Sequence, residues 1–129
     1  MRRRLAAVLL LGLGAQAMAD PLTDVPSAWA DRVVPIAPQR LAELETATAA
    51  RIRETRDRLN EMLAATDVGA AELAAVYGRL GALYGAHRMY AGAELALRNA
   101  RTLDPQGFEW AYYAAHLALE QPEQEQAHA

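Results

Sequence analysis

Between Ala74 and Gly107, large and small residues recur at spacings that suit one local geometry: two helices packed against each other across a tight turn. Tyr77, Leu80, Gly81 and Tyr84 step by three, one and three residues, which places them on one stripe of a helix. Ala93, Leu97 and Ala100 form a second stripe further along. Gly81 and Ala93 are small enough for two helix axes to approach closely, while Tyr77, Leu80, Tyr84 and Leu97 fill the space around them. Ala100 leaves room for a further helix, and Pro105 stops the second helix and sets a turn. All eight residues are expected to be packing residues.

The same periodicity extends in both directions and predicts four helices, at 38–65, 70–85, 90–102 and 107–120. In the first, Leu41, Leu44, Thr48, Ile52, Thr55, Leu59 and Met62 or Leu63 make the inward stripe. Its run from Arg51 to Arg58 interleaves acids with bases and is expected to be a solvated face. Thr66 to Gly69, with an N-cap candidate, Gly85 and Asp104-Pro105 punctuate the helices. Nothing alternates with period two over a useful length, so the fold class is all-α, built on a helical hairpin. Ahead of the helices, 20–37 together with Pro38 holds four of the six prolines. Proline removes a backbone donor and restricts the residue before it, so this stretch is expected to be an extended leader lying along the helices and burying at least Trp29. The polar segment 121–129 has no apolar period and is expected to fray.

The first nineteen residues have the layout of an export signal. Arg2, Arg3 and Arg4 form a positive start, Leu5 to Leu13 an apolar run, and Ala17-Met18-Ala19 a small-x-small cleavage site. The mature chain is expected to begin at Asp20, in the periplasm or outside the cell. The apolar stretch falls short of the roughly twenty residues that span a bilayer, so no membrane span is expected after cleavage. The sequence has no cysteine, which excludes disulfides, thiolate metal sites and a lipid anchored on a terminal thiol. Thirteen basic and sixteen acidic residues give a net charge of −3. Losing three arginines with the signal takes the mature chain to −6, without a basic stripe, which argues against nucleic-acid partners and anionic membrane surfaces.

The segment 74–107, read on Tyr77, Leu80, Gly81, Tyr84, Ala93, Leu97, Ala100 and Pro105, resembles the tetratricopeptide repeat, a thirty-four-residue helical hairpin. Phe108 to Ala118 reads like the first helix of a following repeat, with Trp110 near its leading bulky position, so that 108–120 makes a half repeat inside a 38–120 domain. The long first helix departs from the repeat pattern and could act as an N-terminal cap. Over roughly residues 38–120 the chain looks like the opening repeats of larger exported bacterial tetratricopeptide proteins. The resemblance implies a concave binding face at Ala75, Gly78, Ala82, Gly85 and Ala86. Every one of these is small, unlike the charged clamp that holds an acidic chaperone tail in some of these repeats. Such a floor could accept a helix or extended peptide, or be covered by the chain's own first helix, which is the favoured expectation. Trp110, Tyr113 and Leu117 could likewise stay partly open as a contact surface, for self-association or a partner. The favoured expectation is that they pack on the second repeat helix and the leader.

No catalytic, cofactor or metal constellation is present. His87, His116 and His128 are not at ligand spacing, the glycines at 78, 81 and 85 lie in a helix and form no phosphate loop, and Ser27 is the only serine. The expected role is therefore an exported protein-interaction or scaffold protein, not an enzyme, holding a partner subunit or peptide by shape and apolar packing. Two alternatives are an accessory domain enclosing a small apolar ligand between the first helix and the repeat, and a truncated relic of a longer repeat protein.

Overall fold

A computed structural model describes residues 25–37 and 39–128, with backbone alone for 122–128. The expected signal, its cleavage after Ala19 and the start at Asp20 lie outside the described residues. Four helices follow one another: α1 Thr46–Ala64, α2 Ala70–Ala86, α3 Tyr90–Leu103 and α4 Phe108–His128. The described residues contain no strand. The architecture is all-α, made of packed helix pairs in a manner consistent with a helical repeat.

Helices α2 and α3 form the tightest pair, with α1 against the outer side of α2. Helix α4 packs on α3 and reaches across to α2. The reason for the tight pair is legible in its small residues. A Cβ on Gly81 would sit 2.7 Å from the Leu97 Cγ and 3.3 Å from the Ala93 carbonyl oxygen, so α3 presses directly on the α2 backbone there. Leu80, Tyr84, Ala93 and Ala100 are wholly inaccessible, with Tyr77 and Leu97 nearly so. Seven of the eight expected packing residues are thus in the core. Pro105 is the correction: it is exposed, in the turn after α3, because a residue that ends a helix and starts a turn has no neighbour to pack against.

The turn between α2 and α3 departs from the sequence reading. Gly85 does not end α2, which continues to Ala86. The left-handed position falls instead on Arg88, at φ 62°. The Met89 N–H donates to the Tyr84 carbonyl at 2.9 Å and the Arg88 N–H to the Gly85 carbonyl at 3.2 Å. These are the two bonds of a Schellman close, normally built on glycine.

Residues 25–37 form a strap that buries Trp29 as expected, but it is not extended throughout: 27–32 coil through turns, with the Val33 N–H bonding the Trp29 carbonyl at 3.0 Å. Trp29, Val33 and Ile36 are buried in the core, and the Arg32 guanidinium lies 4.3 Å from the centre of the Trp29 ring. Val25, Val34, Pro35 and Ile36 close a seam with Leu59 and Leu63 of α1 and Tyr77 of α2 that has no room for a water molecule. The strap is fastened to α3 by one side chain. The Val34 N–H donates to Asn99 Oδ1 at 2.8 Å, and Asn99 Nδ2 donates back to the Val34 carbonyl at 2.9 Å.

Helix α1 begins at Thr46, not at residue 38. The intervening chain is irregular: Gln39 donates its side-chain amide to the Ala37 carbonyl, and the Leu44 N–H bonds the Leu41 carbonyl in a turn. The Gln39 side chain lies where a Cβ on Gly92 would be, which places this segment against the start of α3. The run 51–58 is not a uniformly solvated face, because Thr55 and Arg56 are buried. Arg56 shares the inward stripe of Ile52, Leu59 and Leu63, and its charge acts on Tyr84. Burial lowers its pKa, opposed by Tyr84 and then Asp57. The loop after α1 supplies no side-chain N-cap; Gly69 occupies that position. Helix α4 extends past the expected end at residue 120, and its backbone stays helical through Pro122 to His128.

Candidate partner-binding groove

The small residues expected to floor a binding face lie along α2, and what covers them is α4, not α1. At Gly78 an added Cβ would clash with the six-membered ring of Trp110, so the indole packs directly on bare backbone. At Gly85 the nearest side chain is Leu117, 3.5 Å from the added carbon. This overturns the favoured expectation that α1 fills the floor. Helix α1 packs on the side of α2 that carries Tyr77, and Ile52, Leu59 and Leu63 bury themselves there, under the strap.

The three residues expected as a possible open surface divide. Leu117 is buried and Trp110 half-buried, both against α2, whereas Tyr113 is 40% exposed. Helix α4 as a whole thus packs mainly on α3, the second hairpin helix, as expected, while Trp110 and Leu117 reach across to α2, the first. The Trp110 Nε1–H is buried with no hydrogen-bond partner among the described residues, an arrangement that costs about 1–3 kcal/mol when a donor leaves water unpaired.

Beyond Trp110 the two helices leave a recess between them. It has a volume of about 160 Å³, and its floor is Gly81, Ala82, Gly85 and Ala86, with Leu97 beneath. Tyr113, His116, Leu117 and Glu120 of α4 form the other wall. Of the five expected floor positions, the structure brings Ala82, Gly85 and Ala86 to this recess. Gly78 is sealed under Trp110, and Ala75 is exposed further toward the start of α2. The wall residues His116 and Glu120 were missed by sequence reasoning, because only the placement of α4 over α2 brings them to the groove. A stacking rule for successive hairpins would have pointed to them.

The recess lies at the surface between α2 and α4. Its lining is mainly apolar, with one imidazole and one carboxylate at the rim. Among the described residues no group of histidine and acidic side chains could hold a metal ion, and no helix is long and apolar enough to cross a membrane. No family model matches the chain, nor does any curated protein or solved structure.

Proposed function

We propose that the protein is an exported interaction module of tetratricopeptide type, and that the groove between α2 and α4 holds a segment of a partner protein. The observation that carries this reading is the glycine and alanine floor at Ala82, Gly85 and Ala86, lying open beside Tyr113, with Gly81 buried next to it under Leu97. A floor without side chains lets another backbone come close, and the adjoining aromatic offers broad area at low entropy cost. Affinity would then come from packing and main-chain contact, with Glu120 and His116 at the rim to bias orientation. The volume fits a few side chains of a docked segment, and is small beside the roughly 300–1,000 Å³ of sites that enclose a small molecule. The closed seam between α1, α2 and the strap gives the small-ligand alternative no support.

The test uses immobilised protein and its own cell-envelope extract. Wild type is expected to retain one partner reproducibly, and Ala82→Glu, which puts a carboxylate on the floor, to lose it with unchanged helical circular dichroism. Equal retention by both proteins would overturn the reading. Export is checked separately, by a mature N-terminus at Asp20 in the extracted protein.

A further inference from the structure

Helix α4 is apolar on both sides. Trp110 and Leu117 face the hairpin, but Phe108, Tyr112 and Leu119 point the other way, at 78%, 57% and 73% exposure. With Ala115 they are spaced by four, three and four residues, which is one straight stripe of a helix. A stripe of this size in water is unusual for a monomer, where exposed apolar residues are normally scattered.

We propose that this stripe is the contact through which two copies of the chain associate, α4 against α4, antiparallel about a two-fold axis. Three observations select a second copy as the occupant. The first is area. Taking the 150–250 Å² that an aromatic side chain offers, the exposed fractions leave roughly 400 Å² of side chain to bury per copy. A standard interface takes about 800 Å² from each partner, a little over half of it apolar, so the stripe supplies the apolar share of one such interface.

The second is self-complementarity. A two-fold contact requires that if residue i meets residue j, then j meets i. Running the stripe antiparallel to itself sets Phe108 of one copy on Leu119 of the other, and Tyr112 on Ala115. In this register the largest side chain of the centre meets the smallest, and both ends are large on large. The third is charge. The stripe is flanked by Ala111 and Ala118 on one side and by His116, whose ring meets Tyr112 at 4.6 Å, and Glu109 at the rim of the other, while Glu120 turns toward the groove with α2. Glu109 falls on the same side of the helix as Glu120 and His116 by helical register. A second copy therefore closes on the stripe without burying a carboxylate, which would be costly.

The stripe and the groove lie on different sides of α4, so this inference and the groove reading fail separately. Sedimentation equilibrium of the purified protein over a range of concentrations is expected to show a monomer–dimer equilibrium. The double variant Phe108→Glu and Leu119→Glu is expected to be monomeric throughout with unchanged helical circular dichroism, both sites being exposed. Ala82→Glu, in the groove, should dimerise like wild type. Because the chain has no cysteine of its own, register can be read directly. An equal mixture of Phe108→Cys and Leu119→Cys proteins under mild oxidation is expected to give the mixed disulfide dimer in preference to either like pair. A wild type that is monomeric at every concentration, a double variant that still dimerises, or a preference for like pairs would overturn the proposal.

Discussion

At the scale of single residues, α2 carries three glycines whose missing side chains do different things. Gly78 is a seat for an indole, Gly81 a point of helix contact, and Gly85 has room around it. Replacing a helical glycine by alanine gains about 0.5–1 kcal/mol of helix propensity, whereas overfilling a packed site costs about 1–3 kcal/mol. At Gly81 the obstacle is the branch atom of Leu97 and a backbone oxygen, neither of which can swing aside. Gly81→Ala is therefore expected to be destabilised by about 1–2 kcal/mol, the overpacking cost exceeding the propensity gain. At Gly85 the new methyl would make ordinary contacts of 3.5 and 3.8 Å with Leu117 and Ala93. Gly85→Ala should be neutral or gain up to about 1 kcal/mol. Urea unfolding followed by circular dichroism separates the pair, and two variants of equal stability would refute the packing assigned to Gly81. The role of Gly81 was legible in the sequence because its spacing to Ala93 and Leu97 repeats a pattern. The seat at Gly78 was not, since it depends on where α4 lands.

At the scale of elements, the strap shows what periodicity cannot reach. The prolines and Trp29 announced an extended segment with something to bury. Nothing in the sequence announced Asn99 as its fastening. A polar residue on the buried side of a helix has no periodic signature of purpose until its partner is known, and here the partner is a main-chain N–H and C=O sixty-five residues away. Asn99 is 1% exposed, so truncating it leaves both strap groups without partners in a place water reaches poorly. Asn99→Ala is expected to lose about 2–3 kcal/mol, two hydrogen bonds together with part of their desolvation. Hydrogen exchange in residues 25–37 should speed up more than in the α2–α3 pair; uniform acceleration would mean that the strap is held by its apolar side chains alone. Helix ends were the other gap. The first helix starts eight residues later than its apolar spacing implied, because Gln39 to Glu45 are occupied in turning the chain from α3 toward α1.

For the molecule as a whole, the sequence disclosed the number, order and pairing of helices, since these rest on apolar spacing within about thirty residues. It did not disclose which helix covers which, since that depends on longer-range choices: α1 and α4 competed for the same small-residue floor, and α4 took it. One global property follows from the aromatic core. Burial pushes the Tyr77 hydroxyl up to about 12, and burial also raises Tyr84, with the Arg56 charge pulling it back. In the unfolded chain both ionise near the ordinary value of about 10. The unfolded state thus releases its protons first as pH climbs, and stability falls wherever the native state binds more of them. Stability is expected to be complete below about pH 10 and to decline from there toward about pH 12. Tyr77→Phe should flatten that decline in a series of urea midpoints. A wild-type midpoint that does not move between about pH 8 and about pH 11 would contradict it.

The chain has two tryptophans, and the fold assigns one to each peripheral element. Trp29 sits in the strap beside a guanidinium, and Trp110 lies in α4 on the bare backbone of Gly78. Neither belongs to the central hairpin. Tryptophan emission therefore divides between two channels, one for the strap and one for the last helix where it meets α2. With Trp29→Phe in place, the remaining tryptophan emission reads the seat of α4 on α2, so that filling of the adjoining groove can be followed without a label.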